Sequence, residues 1–153
     1  MLYYIYKKKK ERSYKMTNRE KRFFMMAREV SFLSDFKAAR LGAIVVDGNR
    51  VLSSGYNSYK TRPLQHRYNI YRHFDNYEFS IPSQHAEVDA LSPLIGKEID
   101  WSRITIFIYR ELRNGEKGCS RPCAACSRLI HDLGIKTIYY INENGIYVKE
   151  KVI

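Results

Sequence analysis

Two short segments of this 153-residue chain carry side chains suited to holding a metal ion: His85-Ala86-Glu87, and Pro122-Cys123-Ala124-Ala125-Cys126. An imidazole and two thiolates give zinc three protein ligands and leave a fourth position open for water, which is the pattern of a catalytic site. The cysteines stand at i and i+3, so on a helix both sulfurs lie on one face and reach a single ion. Each segment falls at the expected start of a helix, where partial positive charge favours the thiolate form that zinc needs. Glu87, two residues from His85, can approach the same pocket without occupying the ion. Zinc draws the pKa of its water toward neutrality, and a carboxylate beside that water can take its proton. The hydroxide then attacks an amidine-like carbon and the carboxylate returns the proton to a departing amine. The cofactor expected from these residues is therefore Zn2+.

Each half of the pattern has a plainer explanation. A Cys-x-x-Cys alone fits a structural zinc site or a redox pair equally well, and a His-x-Glu alone proves little. Their combination in this order is a known signature of zinc nucleobase deaminases, in which the Glu works as proton shuttle and not as ligand.

The elements that must present these groups can be traced along the chain. From Thr17 to about Ser34, Phe23, Phe24, Ala27, Val30 and Leu33 recur at helical spacing, and Thr17 with Glu20 forms a capping box. An apolar, β-branched run, Leu41 to Val46, and a second run, Arg50 to Tyr56, flank Asp47-Gly48 and predict a β-hairpin. Residues 58–83 are too long for an ordinary connection and too rich in tyrosine and arginine for a featureless linker; Pro63 opens a short helix there with Leu64, Tyr68 and Tyr71 on one side. A helix is expected from Ser83 to Ile95, a strand buried on both faces from Ile104 to Tyr109, and a polar loop from Arg110 to Arg121. A third helix follows from Cys123 to Leu133, ended by Gly134, then a strand from Ile135 to Ile141 and, after Asn144-Gly145, a short one ending near Val148. The order α, β, β, α, β, α, β, β predicts an α/β fold with a central sheet and helices on its faces.

Composition narrows the setting. The chain has 27 basic and 16 acidic residues, a formal +11, but residues 1–22 alone hold nine basic and two acidic side chains. The division expected is a basic arm at 1–16, read as solvated, and one domain at 17–153 containing the aromatic and basic insertion 58–83. Three cysteines are an odd number, and no signal-peptide core or membrane span is visible, so a soluble, cytoplasmic protein with a metal fits better than a disulfide framework.

On these residues the chain resembles the cytidine and deoxycytidylate deaminase superfamily, most closely its deoxycytidylate (dCMP) branch. The likeness runs from about Lys21 to Val148 and includes Phe23-Phe24-Met25-Met26-Ala27, Leu41 to Val46 and Gly55-Tyr56-Asn57, besides both metal segments. It implies a three-layer α/β/α fold with a five-stranded mixed sheet, zinc between two helix N-termini, Asn57 contacting sugar or base, and the Ala86 N–H positioning the pyrimidine. It also implies a homo-oligomer and cytosine in preference to adenine. Three positions depart from the common pattern: Ser58 where Gly is usual, Asp89 where Asn is usual, and Ala124 where Pro often follows the first metal Cys.

The substrate expected is a pyrimidine nucleotide such as dCMP, with Arg62, Arg67 and Arg72 as candidates for its phosphate because Arg grips phosphate bidentately. The alternative is single-stranded DNA or RNA, whose bases would stack on Tyr68, Tyr71 and Phe74 while Arg110, Arg113, Lys117 and Arg121 follow the backbone. Against both stand solvated charges and a packed lid. A further alternative is a non-catalytic nucleic-acid-binding module that keeps zinc for stability, although Glu87 has no purpose in such a site. His66 and His73, with Cys119, are candidates for a second metal site without a recognised ligand spacing.

Overall fold

The structure is a computed structural model that describes residues 15–72 and 83–152. It opens with helix α1 (Asn18–Ser31). The capping box forms as expected: the Thr17 hydroxyl accepts the Glu20 N–H at 3.2 Å and the Glu20 carboxylate accepts the Thr17 N–H at 3.1 Å. Strands β1 (Ala39–Asp47) and β2 (Arg50–Tyr56) make the expected hairpin, with Gly48 at φ 61° in its turn. Helix α2 (Pro63–Tyr68) starts on its proline, and a single 3-10 turn, Asn69–Tyr71, extends it. Helix α3 (Ala86–Leu91), strand β3 (Ile104–Leu112), helix α4 (Ala124–Leu133), strand β4 (Thr137–Ile141) and strand β5 (Tyr147–Lys151) complete the order.

The sheet runs β2-β1-β3-β4-β5. Only β3 and β4 are parallel, joined through α4; the other neighbours are antiparallel, so the sheet is mixed. β3 is central, and its sequence shows why. Ile104, Ile106 and Ile108 join Ala43, Val45, Ile138 and Tyr140 in a core covered by α3 and α4. Phe107 and Tyr109 join Ile44, Val46, Tyr139 and Ile141 in a second core covered by α1. The layers are thus α1, sheet, then α3 with α4. Phe107 anchors the α1 side: its ring stacks on Tyr139 at 4.3 Å and meets Phe23 and Phe24 at 5.3 Å each. Such pairs contribute about 0.5–1.5 kcal/mol beyond their buried area.

Several boundaries differ from the sequence expectations. The helix expected over 83–95 is only Ala86–Leu91, because Gln84 is extended and bridges to Ser58, and Pro93 brings in a 3-10 turn at Ser92–Leu94. β3 continues through Arg110, Glu111 and Leu112, expected as loop, because they pair with Leu41, Arg40 and Ala39. β5 runs on to Lys151 as a polar edge strand, which period and hydrophobicity alone do not reveal. Among the described residues no helix is long and apolar enough to cross a membrane. The basic residues 7–12, together with His73, Phe74, Tyr77 and Phe79, lie outside the described residues.

Candidate metal centre

His85 and Cys123 are the residues immediately before α3 and α4, both in extended backbone conformation. Neither side chain caps its own helix, which leaves imidazole and sulfur free to point between the two helix starts. Cys126, one turn into α4, is fully buried beneath them. His85 Nδ1 lies 3.4 Å from the Cys123 sulfur and 3.3 Å from the Cys126 sulfur. All three donor atoms fall within 4.8 Å of one another, and among the described residues no other His, Cys, Asp or Glu group converges in this way. The donor set is soft and compact, and it fits zinc with one position left for a small molecule.

The scaffold around His85 is polar and closed. Gln65, fully buried on α2, accepts the His85 N–H at 2.9 Å and donates to Asn69 at 2.8 Å. Gln84 pairs with Ser58 through both backbone groups, at 2.8 and 3.1 Å, so Ser58 serves the strand-like joint that delivers His85. Asp89 accepts the Tyr56 N–H at 3.1 Å and pairs with Arg62 at 3.1 Å, tying α3 to β2 and to the approach to α2. Gly55 lets α3 lie on β2: a Cβ there would collide with the backbone at Ala86 and Ala90.

The four groups differ in their electrostatics. The Cys123 thiol, hydrogen-bonded by Cys126 and beside His85, is pulled down to about 3 and is a thiolate at neutral pH. Cys126 moves upward, through its bond to Cys123 and its burial. For His85, burial alone lowers the pKa, and the neighbouring Cys123 more than offsets it, so the net shift is upward. Glu87 is 3% exposed, and burial pushes its carboxyl upward.

His85, Ala86, Glu87 and Cys123 line a cavity of about 240 Å³ together with Phe36, Leu41, Asn57, Ser83, Arg110, Cys119 and Arg121. Of the residues expected from sequence to meet substrate, it brings in Asn57, Ala86, Arg110 and Arg121. Asn57 also ties the sheet, since its carboxamide accepts the Leu41 N–H at 2.8 Å and donates to the Ala39 carbonyl at 2.9 Å. Arg62, Arg67, Arg72 and Tyr68 are not among the lining residues. Arg62 pairs with Asp89, Arg67 stands exposed on α2, and the Tyr68 hydroxyl donates to Asp132 at 2.9 Å, pinning α2 to α4. Arg72 places Nη1 3.5 Å from His85 Nε2, outside the metal face of the ring. His66 is exposed on α2, and neither it nor Cys119 belongs to a metal-binding group among the described residues. Arg110, expected in a loop, pairs opposite Leu41 in β3, and this register carries it to the cavity.

Residues 17–142 match the model of the family described as the cytidine and deoxycytidylate deaminase zinc-binding region. Among solved structures, the dCMP deaminase of cyanophage S-TIM5 in complex with dCMP and dUMP is similar at 23% identity and TM-score 0.58, over 85% of this chain and 85% of that one. Its apo form gives 23% identity and TM-score 0.56, over 84% and 86%. A cytidine deaminase from Burkholderia pseudomallei is similar at 17% identity and TM-score 0.58, over 90% and 94%. At these identities the structures share the fold. No curated protein matches the chain.

Proposed function

Since the chain belongs to the cytidine and deoxycytidylate deaminase family and is thus a hydrolytic deaminase, we propose that it removes the exocyclic amine of a cytosine nucleotide such as dCMP, giving the uracil nucleotide and ammonia. One observation carries the reading: a buried carboxylate, Glu87, shares a small cavity with a His-Cys-Cys donor set of catalytic type. When bound, zinc supplies the Lewis acidity that makes water nucleophilic near neutral pH.

The remaining work falls to the chain's own side chains. His85, Cys123 and Cys126 would hold the ion. Glu87 takes a proton from the attacking water at its carboxylate, and returns it to the amine as the C–N bond breaks. Water supplies the new carbonyl oxygen and the amine leaves as ammonia. Burial serves this shuttle, because a desolvated carboxylate accepts and releases a proton with a smaller free-energy gap at neutral pH. Phe36 and Leu41 give the cavity apolar walls suited to a flat base, and the presence of Ala86 and Asn57 in its lining supports a role for them in orienting it. The cyanophage enzyme's structure with dCMP and dUMP supports a nucleotide by analogy of fold.

The test is ammonia release from zinc-loaded protein over cytidine, deoxycytidine, dCMP, dCTP, adenine nucleotides and single-stranded DNA. Turnover should favour a cytosine mononucleotide, and Glu87→Gln should lower it by about 10²–10⁴-fold with zinc content and melting temperature retained. Full activity in that variant, or inactivity of the zinc-loaded native chain on every cytosine substrate, would end this reading.

A further inference from the structure

We propose that Arg110 is the residue that selects a phosphorylated substrate, by gripping the terminal phosphate of the cytosine nucleotide in the metal cavity. This deepens the function proposed above and rests on it. Arg110 follows the apolar run of β3 and lies opposite Leu41, and both side chains line the cavity that also contains His85 and Glu87.

Among the described residues its charge is unclaimed, unlike that of several other arginines. Arg28 pairs with Glu111 at 3.3 Å, Arg62 with Asp89 at 3.1 Å and Arg128 with Asp132 at 3.0 Å. Arg121, the other arginine of the cavity, pairs with Glu150 at 3.3 Å and lies over the Tyr140 ring. Arg110 has no carboxylate partner among the described residues. Its Nη1 donates to the Cys119 carbonyl at 3.2 Å, while its Nε is buried without a hydrogen-bond partner there. Arg110 lines the cavity, and the guanidinium N–H groups other than that Nε are donors with which the fork can grip an anion held there.

The side chain is also preset. The Gly118 N–H donates to the Arg110 carbonyl at 2.9 Å, and Gly118 lies so near its surroundings that a Cβ there would stand 2.7 Å from Leu112 Cδ2, 3.0 Å from Arg110 Cδ and 3.1 Å from Arg110 Cγ. The 113–118 turn thus folds back over the stem and holds the fork in place, so little rotamer freedom is lost when an anion binds. With the reacting amine at the His85–Glu87 end, a neutral nucleoside would leave this cation without a partner. A phosphate monoester supplies the planar, bidentate match that guanidinium favours.

The test compares dCMP with deoxycytidine on the zinc-loaded full chain, by kcat/KM and, independently of turnover, by equilibrium binding of dUMP against deoxyuridine. Arg110→Gln should lower the dCMP-to-deoxycytidine ratio of kcat/KM, and the dUMP-to-deoxyuridine ratio of affinity, by about 10- to 100-fold, the range for a hydrogen bond to a charged group. Gly118→Ala, which crowds the stem without removing the charge, should shift both ratios the same way by a smaller factor. Equal losses on the phosphorylated and unphosphorylated ligands, or no change in either ratio, would overturn the assignment. So would an equal loss on an oligonucleotide whose cytosine has only internal phosphodiesters. If the native chain deaminates no cytosine compound yet binds dUMP through Arg110, the proposed reaction fails and the phosphate site stands.

Discussion

The side-chain carbonyl of Gln65 accepts the backbone N–H of His85 at 2.9 Å, so a helix from the long insertion holds the metal ligand by its main chain. Gln65 is completely buried, and its amide nitrogen is satisfied by Asn69. Replacing it with leucine leaves the His85 N–H and the Asn69 oxygen unpaired in a dry place. The expected cost is about 1–3 kcal/mol per orphaned group. Gln65→Leu should therefore melt earlier and lose zinc to a chelator sooner than the native chain. Gln65→Glu keeps an acceptor for His85 and should retain zinc better than the leucine variant. A leucine variant that holds zinc as tightly as the native protein would show that His85 is set by its own ring contacts alone.

Gly55 reports how closely α3 lies on β2. The Cβ of an alanine would press against main-chain atoms at Ala86 and Ala90, and backbone cannot yield as a side-chain tip can. Gly55→Ala should cost at least the 1–3 kcal/mol typical of overpacking, about, and because Ala86 and Glu87 sit on that helix, activity should fall further than stability alone accounts for. Thermal melting and ammonia release on the same preparation check both parts. An unchanged melting temperature would mean that α3 moves freely on the sheet.

The metal ligands and the core were legible in the sequence because each depends on local spacing. His85, Cys123 and Cys126 fall at helix starts that their own neighbours specify, and β3 alternates between two cores in a continuous apolar run. What sequence could not supply is pairing between distant segments. The cavity role of Arg110 depends on its register with Leu41, and its polar run reads as loop when taken alone. Tyr68 and Arg62 looked like substrate contacts because tyrosine and arginine suit nucleotides, but Asp132 and Asp89 engage them across the fold. Asp89, a departure from the family's usual asparagine, shows the same point: its meaning is the Tyr56 N–H and Arg62, neither adjacent in sequence.

Tyr109 makes a prediction at alkaline pH. Burial first, and then the nearby Glu111 charge, hold its phenol above the ordinary tyrosine value. In the unfolded chain it ionises near about pH 10, while in the fold it stays neutral, so rising pH favours unfolding. The stabilisation is complete below that value and is lost as pH climbs toward the folded one. Between about pH 9 and about pH 11 the melting temperature of the native chain should fall more steeply than that of Tyr109→Phe, which has no proton to lose. Parallel slopes would show that Tyr109 titrates alike in both states.

Zinc retention should weaken as pH falls, and the sign follows from His85. Its net pKa shift is upward, because contact with Cys123 outweighs the burial that would lower it. A ring that holds its proton more firmly competes with the ion at higher pH than an ordinary histidine does, and the Cys126 thiol, raised by its bond to Cys123 and its burial, competes throughout the neutral and acidic range, whereas Cys123, already at about 3, competes little. Chelator competition between about pH 8 and about pH 5 should therefore show zinc loss beginning above the usual histidine midpoint of about 6.5. Asn substituted for His85 removes that titration, and His85→Asn should bind zinc weakly at every pH in this range, with a flatter profile. If the native profile is flat down to about pH 5, the proton on His85 does not compete with the ion.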